Sequence, residues 1–333
     1  MAMRRLGRLL LIVFGVILLV LIAGYLALLR PDIPYATLEA KYANAQSRYM
    51  DLPGGLHVHY RDQGLAGGPP VVMVHGFSAS LETWEPWVRR IGGAYRVVTL
   101  DLPGHGLTRA PPGYAASIDG YADIVDQVAG RLSLGPYVVV GNSMGGAVAW
   151  DDDLRHPDHL RGLVLVDSAG WPQETRGGDG PLIFRLMRNP IGRALVRDLD
   201  VRPMAKSGLE AAYLDKSLVT PALVDRYVEL ARAPGHREIL LTIRNRPRGG
   251  ATADTFHAIA VPTLVMHGED DRLVPVADGR RFAAAIPGAR LITYPGVGHV
   301  PMEQIPDRSA ADLKAFLDGL SASGPHPPAS AGR

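Results

Sequence analysis

Gly141-Asn142-Ser143-Met144-Gly145 directly follows the apolar run Tyr137-Val138-Val139-Val140, and Ala147 to Trp150 come after it. The valine-rich run is typical of a buried strand, and the residues after the motif continue in a helical pattern. A serine on a sharp strand-to-helix turn is lifted clear of the sheet, and small residues two positions away on either side allow that turn. The stretch therefore predicts that Ser143 is a nucleophile at the end of a strand.

An acid and a histidine follow this serine along the chain. Asp271 comes after the apolar run Leu264 to His267, and His299 closes the stretch Thr293-Tyr294-Pro295-Gly296-Val297-Gly298-His299. Free serine is a poor nucleophile at neutral pH, so Ser143 requires an adjacent base. We expect His299 to take the serine proton and later to protonate the leaving alcohol, while Asp271 fixes the tautomer of the ring and stabilises the imidazolium.

Three further blocks accompany the serine motif: His75-Gly76-Phe77, Asp101-Leu102-Pro103-Gly104-His105-Gly106 and Gly268-Glu269-Asp270-Asp271-Arg272-Leu273-Val274-Pro275. Together with the order Ser, Asp, His, they make the chain resemble the α/β-hydrolase superfamily, specifically its serine esterases and lipases, over roughly Tyr49 to Leu320. The resemblance implies an α/β fold with a mostly parallel central sheet, flanking helices and an inserted helical cap. It also implies hydrolysis of a small-molecule or lipid ester, through an acyl-enzyme on Ser143 and without a cofactor.

Two other aspartates compete with Asp271 for the acid position. Asp270 is its neighbour in the chain, and Asp167 also lies just beyond a predicted strand. Asp271 is preferred because it matches the Gly-x-x-Asp-x-x-x-Pro pattern set by Gly268 and Pro275.

The resemblance also implies an oxyanion hole made of backbone N–H groups. By family position these belong to Met144, next after the nucleophile, and to Phe77, next after His75-Gly76. The two side chains either line the acyl pocket or have a buried structural role, and the sequence leaves both alternatives open. His75 and His105 are interpreted as residues that stabilise loops, not as a second base.

The composition excludes several classes of protein. The formal charge is +2, from 35 basic and 33 acidic residues, and the excess lies in the first 30 residues, which hold Arg4, Arg5, Arg8 and Arg30. A nucleic-acid partner is therefore not indicated. The chain has no cysteine, which excludes disulfides, thiolate catalysis and a cysteine-based metal site. The 11 histidines form no His-Glu-x-x-His pair or similar spacing, so no metal is predicted.

The segment Leu9 to Leu29 is uncharged and almost wholly apolar. As a helix it would span about 31 Å, which matches a hydrocarbon core of roughly 30 Å and predicts one transmembrane anchor. A cleaved signal peptide is the alternative, but its apolar region is usually about 7–15 residues long. Arg4, Arg5 and Arg8 precede the segment and predict a cytoplasmic N-terminus, with the catalytic domain periplasmic or extracellular.

These patterns divide the chain into seven predicted segments. They are a cytoplasmic tail (1–8), a transmembrane anchor (9–29), a linker (30–46), the first part of the hydrolase core (47–170), a helical cap or lid (171–256), the second part of the core (257–320) and a disordered tail (321–333). An antiparallel strand pair is predicted to end at Gly64. Buried strands are predicted at 71–74, 97–100, 137–140, 163–166, 263–266 and 291–294, with helices near 81–91, 118–132, 144–155, 276–285 and 309–320.

Two alternative functions stay open. The run Gly141 to Gly146 is also similar to the elbow of hydrolases that cleave carbon–carbon bonds in aromatic meta-cleavage products, although those enzymes usually carry a more glycine-rich loop where this chain has Phe77-Ser78-Ala79-Ser80. The second alternative is a non-catalytic binding protein on the hydrolase scaffold, against which an intact triad argues. The sequence indicates neither protein partners nor an oligomeric state.

Two interpretations concern polar residues outside the motifs. Asp151-Asp152-Asp153 is interpreted as a solvated acidic face, although three successive positions sweep about 200° of a helix and would bury at least one carboxylate in part, with Arg155 as its partner. His57 and His59 alternate along a predicted strand and are expected to face solvent.

Overall fold

The computed structural model of the chain describes residues 2–172, 189–243 and 251–322. Parts of the predicted cap and nearly all of the predicted C-terminal tail lie outside these ranges. The strands are β1 (Ser47–Leu52), β2 (Leu56–Gly64), β3 (Pro70–Val74), β4 (Arg96–Leu100), β5 (Tyr137–Asn142), β6 (Leu160–Val166), β7 (Thr263–Gly268) and β8 (Arg290–Tyr294). The described helices are α1 (Ala2–Leu28), α2 (Tyr35–Tyr42), α3 (Glu85–Ile91), α4 (Ile118–Arg131), α5 (Met144–Arg155), α6 (Pro190–Val196), α7 (Arg202–Tyr213), α8 (Pro221–Ala231), α9 (His236–Thr242), α10 (Val276–Ala285), α11 (Pro301–Gln304) and α12 (Pro306–Ala322).

The eight strands form one sheet in the order β1-β2-β4-β3-β5-β6-β7-β8. β2 pairs antiparallel with β1 and with β4, and the other neighbours are parallel. The prediction of a mostly parallel sheet is confirmed. Because parallel strands end at the same edge, the residues that end them meet there, as Asn142 and Val166 do. In open α/β sheets this edge is where ligands bind.

Alternate residues of the strands face two apolar layers. On one face of β3, Val72 and Val74 pack in a layer with residues of α4, α5 and α10. On the other face, Val71 and Met73 pack with residues of α3 and α12. Side chains alternate between the two faces of a strand, and here both faces are covered. This explains why the central strands are continuous apolar runs instead of alternating ones.

Between β6 and β7 the described residues form the helices α6 to α9. Two contacts place them against loops at the carboxyl edge of the sheet. The Ala212 carbonyl in α7 accepts the His299 N–H at 2.8 Å. A Cβ added at Gly104, in the loop after β4, would lie 2.5 Å from Ile239 Cγ2 in α9. These helices therefore lie over the edge at which the parallel strands end.

The N-terminal helix α1 is long and apolar enough to cross a membrane. Its stretch Leu6–Leu28 has 23 residues and a mean hydropathy of 3.1, and it is not buried against the rest of the described chain. A retained anchor and a signal sequence share this pattern. The helix ends at Leu28, and the next residue, Leu29, forms a β-bridge with Leu199.

The interpretation of Asp151-Asp152-Asp153 as a solvated acidic face is wrong, because all three side chains are buried. Asp152 accepts a hydrogen bond from the Tyr137 hydroxyl at 2.7 Å and lies 3.0 Å from His156 Nδ1. Burial raises the pKa of Asp151 to about 6 and the pKa of Asp153 to about 7. The α5 helix packs on both the sheet and α4, so a three-residue run cannot keep all its side chains in water.

The expectation that His59 faces solvent is also wrong. Its ring is buried, with Nδ1 2.7 Å from Asp101 Oδ2 and Nε2 2.8 Å from the Ser47 hydroxyl. Burial alone would raise the pKa of Asp101, but the hydrogen bond and charge of His59 hold it below its usual range. His59 thus supports the start of the loop that follows β4, at the same edge of the sheet as Ser143.

Candidate active site

Ser143 lies between the last residue of β5 and the first residue of α5, with φ 56° and ψ −118°. Residues with a side chain rarely adopt this backbone, and where they do the strain is often part of a functional site. The Ser143 N–H donates to the Val166 carbonyl at 3.0 Å, and its carbonyl accepts from the N–H groups of Gly146, Ala147 and Ala169 at 2.9–3.2 Å. The turn is therefore fixed, and the partly exposed serine side chain lies at the carboxyl edge of the sheet.

Close backbone approach requires the glycines around Ser143. A Cβ added at Gly141 would lie 2.0 Å from the Gly145 carbonyl oxygen, and one at Gly145 would lie 2.1 Å from the Val74 carbonyl oxygen. No side-chain rotation relieves a clash with the backbone. The glycine spacing thus follows from how β5, α5 and β3 pack around the serine.

His299 and Asp271 are in direct contact, and both side chains are buried. His299 Nδ1 lies 2.7 Å from Asp271 Oδ2, while Asp271 Oδ1 accepts the N–H groups of Leu273 at 2.7 Å and Val274 at 3.0 Å. A proton on Nδ1 that points to the carboxylate leaves Nε2 unprotonated. This is the tautomer that a general base needs.

Asn142 connects the serine turn to the histidine loop. Its Nδ2 donates to the Val166 carbonyl at 3.2 Å and to the His299 carbonyl at 3.1 Å. From the opposite side the His299 N–H donates to Ala212 of the cap. The sequence analysis missed both supports, because no local pattern relates positions 142 or 212 to position 299.

A direct hydrogen bond from the Ser143 hydroxyl to the His299 ring is not among the contacts of the described residues. Asn142 instead connects the two residues. It directly precedes Ser143 in the chain, and its side chain donates a hydrogen bond to the His299 carbonyl. Catalytic hydrogen bonds of this kind are often long in a free enzyme and tighten when substrate binds.

The two competing aspartates have other partners. Asp270 Oδ2 accepts the Gly296 N–H at 2.9 Å and so stabilises a turn before the histidine. Asp167 is buried at the end of β6, where its Oδ1 accepts the Gly268 N–H at 2.8 Å. Burial, and next the nearby Asp271 carboxylate, raise the pKa of Asp167 well above its usual range. Of the three aspartates, Asp271 is the one hydrogen-bonded to the His299 ring.

The residues predicted to form the oxyanion hole border Ser143 on two sides. A Cβ added at Gly76 would lie 3.1 Å from Ser143 Cβ, so the loop that carries Phe77 runs against the serine turn. Met144 is the first residue of α5, and the first N–H groups of a helix lack an intrahelical acceptor. The side chains differ, because Phe77 is 46% exposed whereas Met144 is 5% exposed and packs in the core. Of the two alternatives for Met144, the structure favours the buried one.

His75 and His105 each make contacts within these loops. His75 Nε2 accepts the Leu102 N–H at 3.1 Å, and His105 Nδ1 lies 3.2 Å from the Pro103 carbonyl oxygen. Burial lowers the pKa of both rings. Neutral, buried rings with backbone partners fit the interpretation that these histidines stabilise loops.

Two groups of acidic and histidine side chains in the described ranges are close enough together to hold a cation. They are Asp167, Asp271 and His299, and Asp126, Asp152 and His156. In each group a carboxylate and a histidine are already hydrogen-bonded to each other, at 2.7 Å and 3.0 Å. We therefore assign neither as a metal site.

The chain is similar to known proteins in both sequence and structure. The chain is 28% identical over 271 residues to 2-hydroxy-6-oxo-2,4-heptadienoate hydrolase of Pseudomonas putida, covering 78% of this chain and 93% of that protein. A thermophilic esterase from Thermogutta terrifontis superposes with a TM-score of 0.68 at 23% identity, covering 83% of this chain and 99% of the esterase.

A third neighbour shares more of the chain. The crystal structure of a bacterial membrane phospholipase A superposes with a TM-score of 0.70 at 25% identity, covering 93% of this chain and 98% of the phospholipase. The aligned share of this chain, 93%, is larger than the share formed by the residues after Arg30. Some of the aligned residues therefore belong to the N-terminal helix.

The family model that matches this chain is that of the α/β-hydrolase fold, over residues 69–305. The match runs from the start of β3 to the helix after the histidine loop and includes Ser143, Asp271 and His299. The chain therefore belongs to the α/β-hydrolase fold family.

Proposed function

We propose that this chain is a membrane-anchored serine hydrolase that cleaves carboxylic esters through an acyl-enzyme on Ser143. The observation that carries the proposal is the buried Asp271–His299 pair, which Asn142 ties to the strained turn at Ser143. A buried acid, an oriented ring and a fixed hydroxyl at one sheet edge are the parts that nucleophilic acyl transfer requires.

In this proposal His299 Nε2 accepts the hydroxyl proton of Ser143 as Oγ attacks the acyl carbon. Asp271 stabilises the imidazolium that forms, and the N–H groups of Phe77 and Met144 bind the oxyanion. His299 then protonates the leaving alcohol, and the acyl-enzyme forms. A water molecule, activated by the same ring, attacks the acyl carbon, releases the acid and restores Ser143.

The anchored location is supported by the apolar span Leu6–Leu28 and by the similarity to a membrane phospholipase A that includes part of this helix. We propose that the helix stays in the inner or cell membrane, with its N-terminus cytoplasmic and the hydrolase domain outside. A substrate ester, from a lipid or a small molecule, would then reach the site at the outer surface of that membrane.

Cleavage of a carbon–carbon bond is the second candidate function. It is favoured by the similarity to the Pseudomonas putida dienoate hydrolase. The loop Phe77-Ser78-Ala79-Ser80 and the apolar N-terminal helix argue against it, because a more glycine-rich loop is usual in enzymes that cleave such bonds and a membrane helix is unusual for a soluble catabolic enzyme.

The test is a rate profile of the purified full-length chain over p-nitrophenyl esters from short to long acyl chains, with a meta-cleavage dienone as the competing substrate. Ser143→Ala serves as the matched control. We expect ester hydrolysis that depends on Ser143 and little or no turnover of the dienone. Faster dienone turnover would replace the ester proposal with the carbon–carbon hydrolase, and no Ser143-dependent turnover of either class would favour a binding protein.

A further inference from the structure

The C-terminal end of α1 is joined to the cap by backbone pairing. The Asp200 N–H donates to the Leu28 carbonyl at 2.8 Å, and the Arg30 N–H donates to the Asp198 carbonyl at 2.7 Å. The Arg30 guanidinium also lies 3.0 Å from the Asp200 carboxylate. The cap therefore has a defined position relative to the end of the apolar helix.

A buried arginine stabilises the same junction. The Arg237 side chain, on α9 of the cap, donates to the Arg30 carbonyl at 2.7 Å and to the Asp32 carboxylate at 2.6 Å. It also lies 3.1 Å from the Asp198 carboxylate, and it is only 7% exposed. A buried cation with three oxygen partners resists displacement, so the residues that follow α1 and the cap behave as one unit.

The junction sets the position of the cap helix α6 along the direction of α1, and so its depth relative to a membrane that α1 spans. The Tyr25 hydroxyl donates to the Leu195 carbonyl of α6 at 3.0 Å. Tyr25 is in the last turn of Leu6–Leu28, a span of about 34 Å, which slightly exceeds a hydrocarbon core of roughly 30 Å. Tyrosine is typical of the boundary between acyl chains and headgroups. Once α1 spans a bilayer, α6 is held at that boundary.

The exposed face of α6 at the boundary between acyl chains and headgroups is apolar. Ile191 is 73% exposed and Leu195 is 51% exposed, and they lie four residues apart, on one side of the helix. On α7, Met204 is 68% exposed. Large apolar side chains at such exposure are unfavourable in water and favourable in lipid.

We propose that α6 docks the cap onto the bilayer leaflet in which α1 ends, with Ile191 and Leu195 in contact with the acyl chains. The occupant of this face is lipid, because the face continues the surface of the membrane-spanning helix. The inference rests on the proposed retention of α1 in the membrane. It deepens the proposed function, since the cap also holds the backbone of His299 through Ala212, so the site and the lipid surface share one scaffold.

The first test uses the absence of cysteine, which allows a single fluorophore to be placed by one substitution. Ile191→Cys and, as a matched control, Leu65→Cys are labelled with an environment-sensitive dye and reconstituted in vesicles of phosphatidylcholine and phosphatidylglycerol. Leu65 is 50% exposed and lies before β3, at the end of the sheet opposite to the cap. We expect acyl-chain-brominated lipid to quench the label at 191 at least about twofold and to leave the label at 65 unchanged.

Flotation of the vesicles separates the two proposals. A protein that floats with the vesicles and is not quenched at position 191 keeps its anchor but overturns the docking of α6. A protein that does not float overturns the retained anchor and the docking together. The label at position 191 could instead be quenched more strongly as more labelled protein is added per vesicle, with no dependence on brominated lipid. That result would assign the face to a second copy of the chain and would also overturn the proposal.

The second test compares substrates in Ile191→Asp and Leu195→Asp. Each should lower the rate on phospholipid in vesicles by about fivefold, because a charge is unfavourable near the acyl chains. The rate on a soluble short-chain ester should not change, because these residues are outside the catalytic machinery. Leu65→Asp is the control for both substrates. Unchanged rates on vesicle lipid in both α6 variants would contradict the proposal.

Discussion

His299 Nδ1 lies 2.7 Å from Asp271 Oδ2, while the backbone of the same histidine is bonded to Asn142 on one side and to Ala212 on the other. The ring is thus oriented by β7 and its loop, and the main chain by β5 and the cap. A histidine held by three separate elements has little freedom to leave its position, which is what the proposed general base requires. Changes at Ala212 should therefore reach the proposed chemistry through His299, whereas changes on the exposed face of α6 should not.

Replacing the nucleophile gives the first prediction. Ser143→Ala should leave a folded chain with ester hydrolysis reduced by about 10⁶-fold, because no other hydroxyl occupies the turn. A fluorophosphonate should label the unsubstituted chain once, at Ser143, as located by peptide mass spectrometry. Stoichiometric labelling of the alanine variant would sink the assignment.

The second prediction concerns the three aspartates. Asp271→Asn should lower kcat by about 10⁴-fold, because two backbone N–H groups keep the amide oxygen and its NH2 group then faces Nδ1, which favours the wrong tautomer of His299. Asp270→Asn and Asp167→Asn should each cost no more than about tenfold, since neither is hydrogen-bonded to the ring. Steady-state kinetics on one soluble ester compares the three. A severe loss in Asp167→Asn with a mild one in Asp271→Asn would reverse the roles.

The third prediction tests the close packing around the elbow. Gly145→Ala places a Cβ 2.1 Å from the Val74 carbonyl oxygen, and we expect it to lower the free energy of unfolding by about 2–3 kcal/mol. Gly130→Ala is the matched control. It lies in α4 with no atom within 4 Å of an added Cβ, and it should stabilise the chain by about 0.5–1 kcal/mol. Thermal unfolding in detergent compares the two, and equal effects would contradict the packing argument.

The fourth prediction follows from the buried carboxyl group of Asp153. Burial raises its pKa from 3.8 to about 7, so the folded chain favours the protonated acid. This contribution to stability is fully present below pH 3.8 and is lost as the pH rises to about 7. Asp153→Asn removes the titration and should be more stable than the unsubstituted chain at pH 8, by on the order of 2–4 kcal/mol.

The measurement is the difference in unfolding free energy between variant and parent at pH 5 and pH 8. Asp158→Asn, at an exposed carboxylate just after the same helix, is the control and should show no such trend. A difference for Asp153→Asn that shrinks as the pH rises would have the wrong sign for a buried acid.

The fifth prediction is topological. Leu9 to Leu29 carries no charge, and each central Leu, Ile or Val contributes about −0.3 to −0.6 kcal/mol to insertion, so the helix should remain in the membrane pellet after a carbonate wash. Arg4, Arg5 and Arg8 should keep the N-terminus in the cytoplasm. Protease added to intact cells, after permeabilisation of any outer membrane, should then digest the hydrolase domain. Resistance until the inner membrane is broken would refute the orientation, and a soluble mature chain beginning near Ala27 would indicate a cleaved signal.

The sequence by itself determined the parts that depend on local physics. An apolar run must be buried, a tight strand-to-helix turn needs glycine, and an uncharged apolar segment of this length is stable in lipid. For this reason the strands and the serine turn could be predicted from the residues alone, whereas the roles of Ser143, Asp271 and His299 came from the family resemblance and stay predictions. The parallel sheet and the hydrolase family were predicted from the resemblance of four motif blocks to known hydrolases, and both are confirmed.

Tertiary structure decided which distant residues meet. His59 pairs with Asp101, and Asn142 and Ala212 support His299, although these positions share no local pattern. The burial of Asp153 is likewise not visible in its local sequence. Each depends on the strand order and on where the cap lies over the sheet. A side chain's environment is set by the elements packed around it, so a charged run that is normally solvated becomes buried once α5 packs against both the sheet and α4.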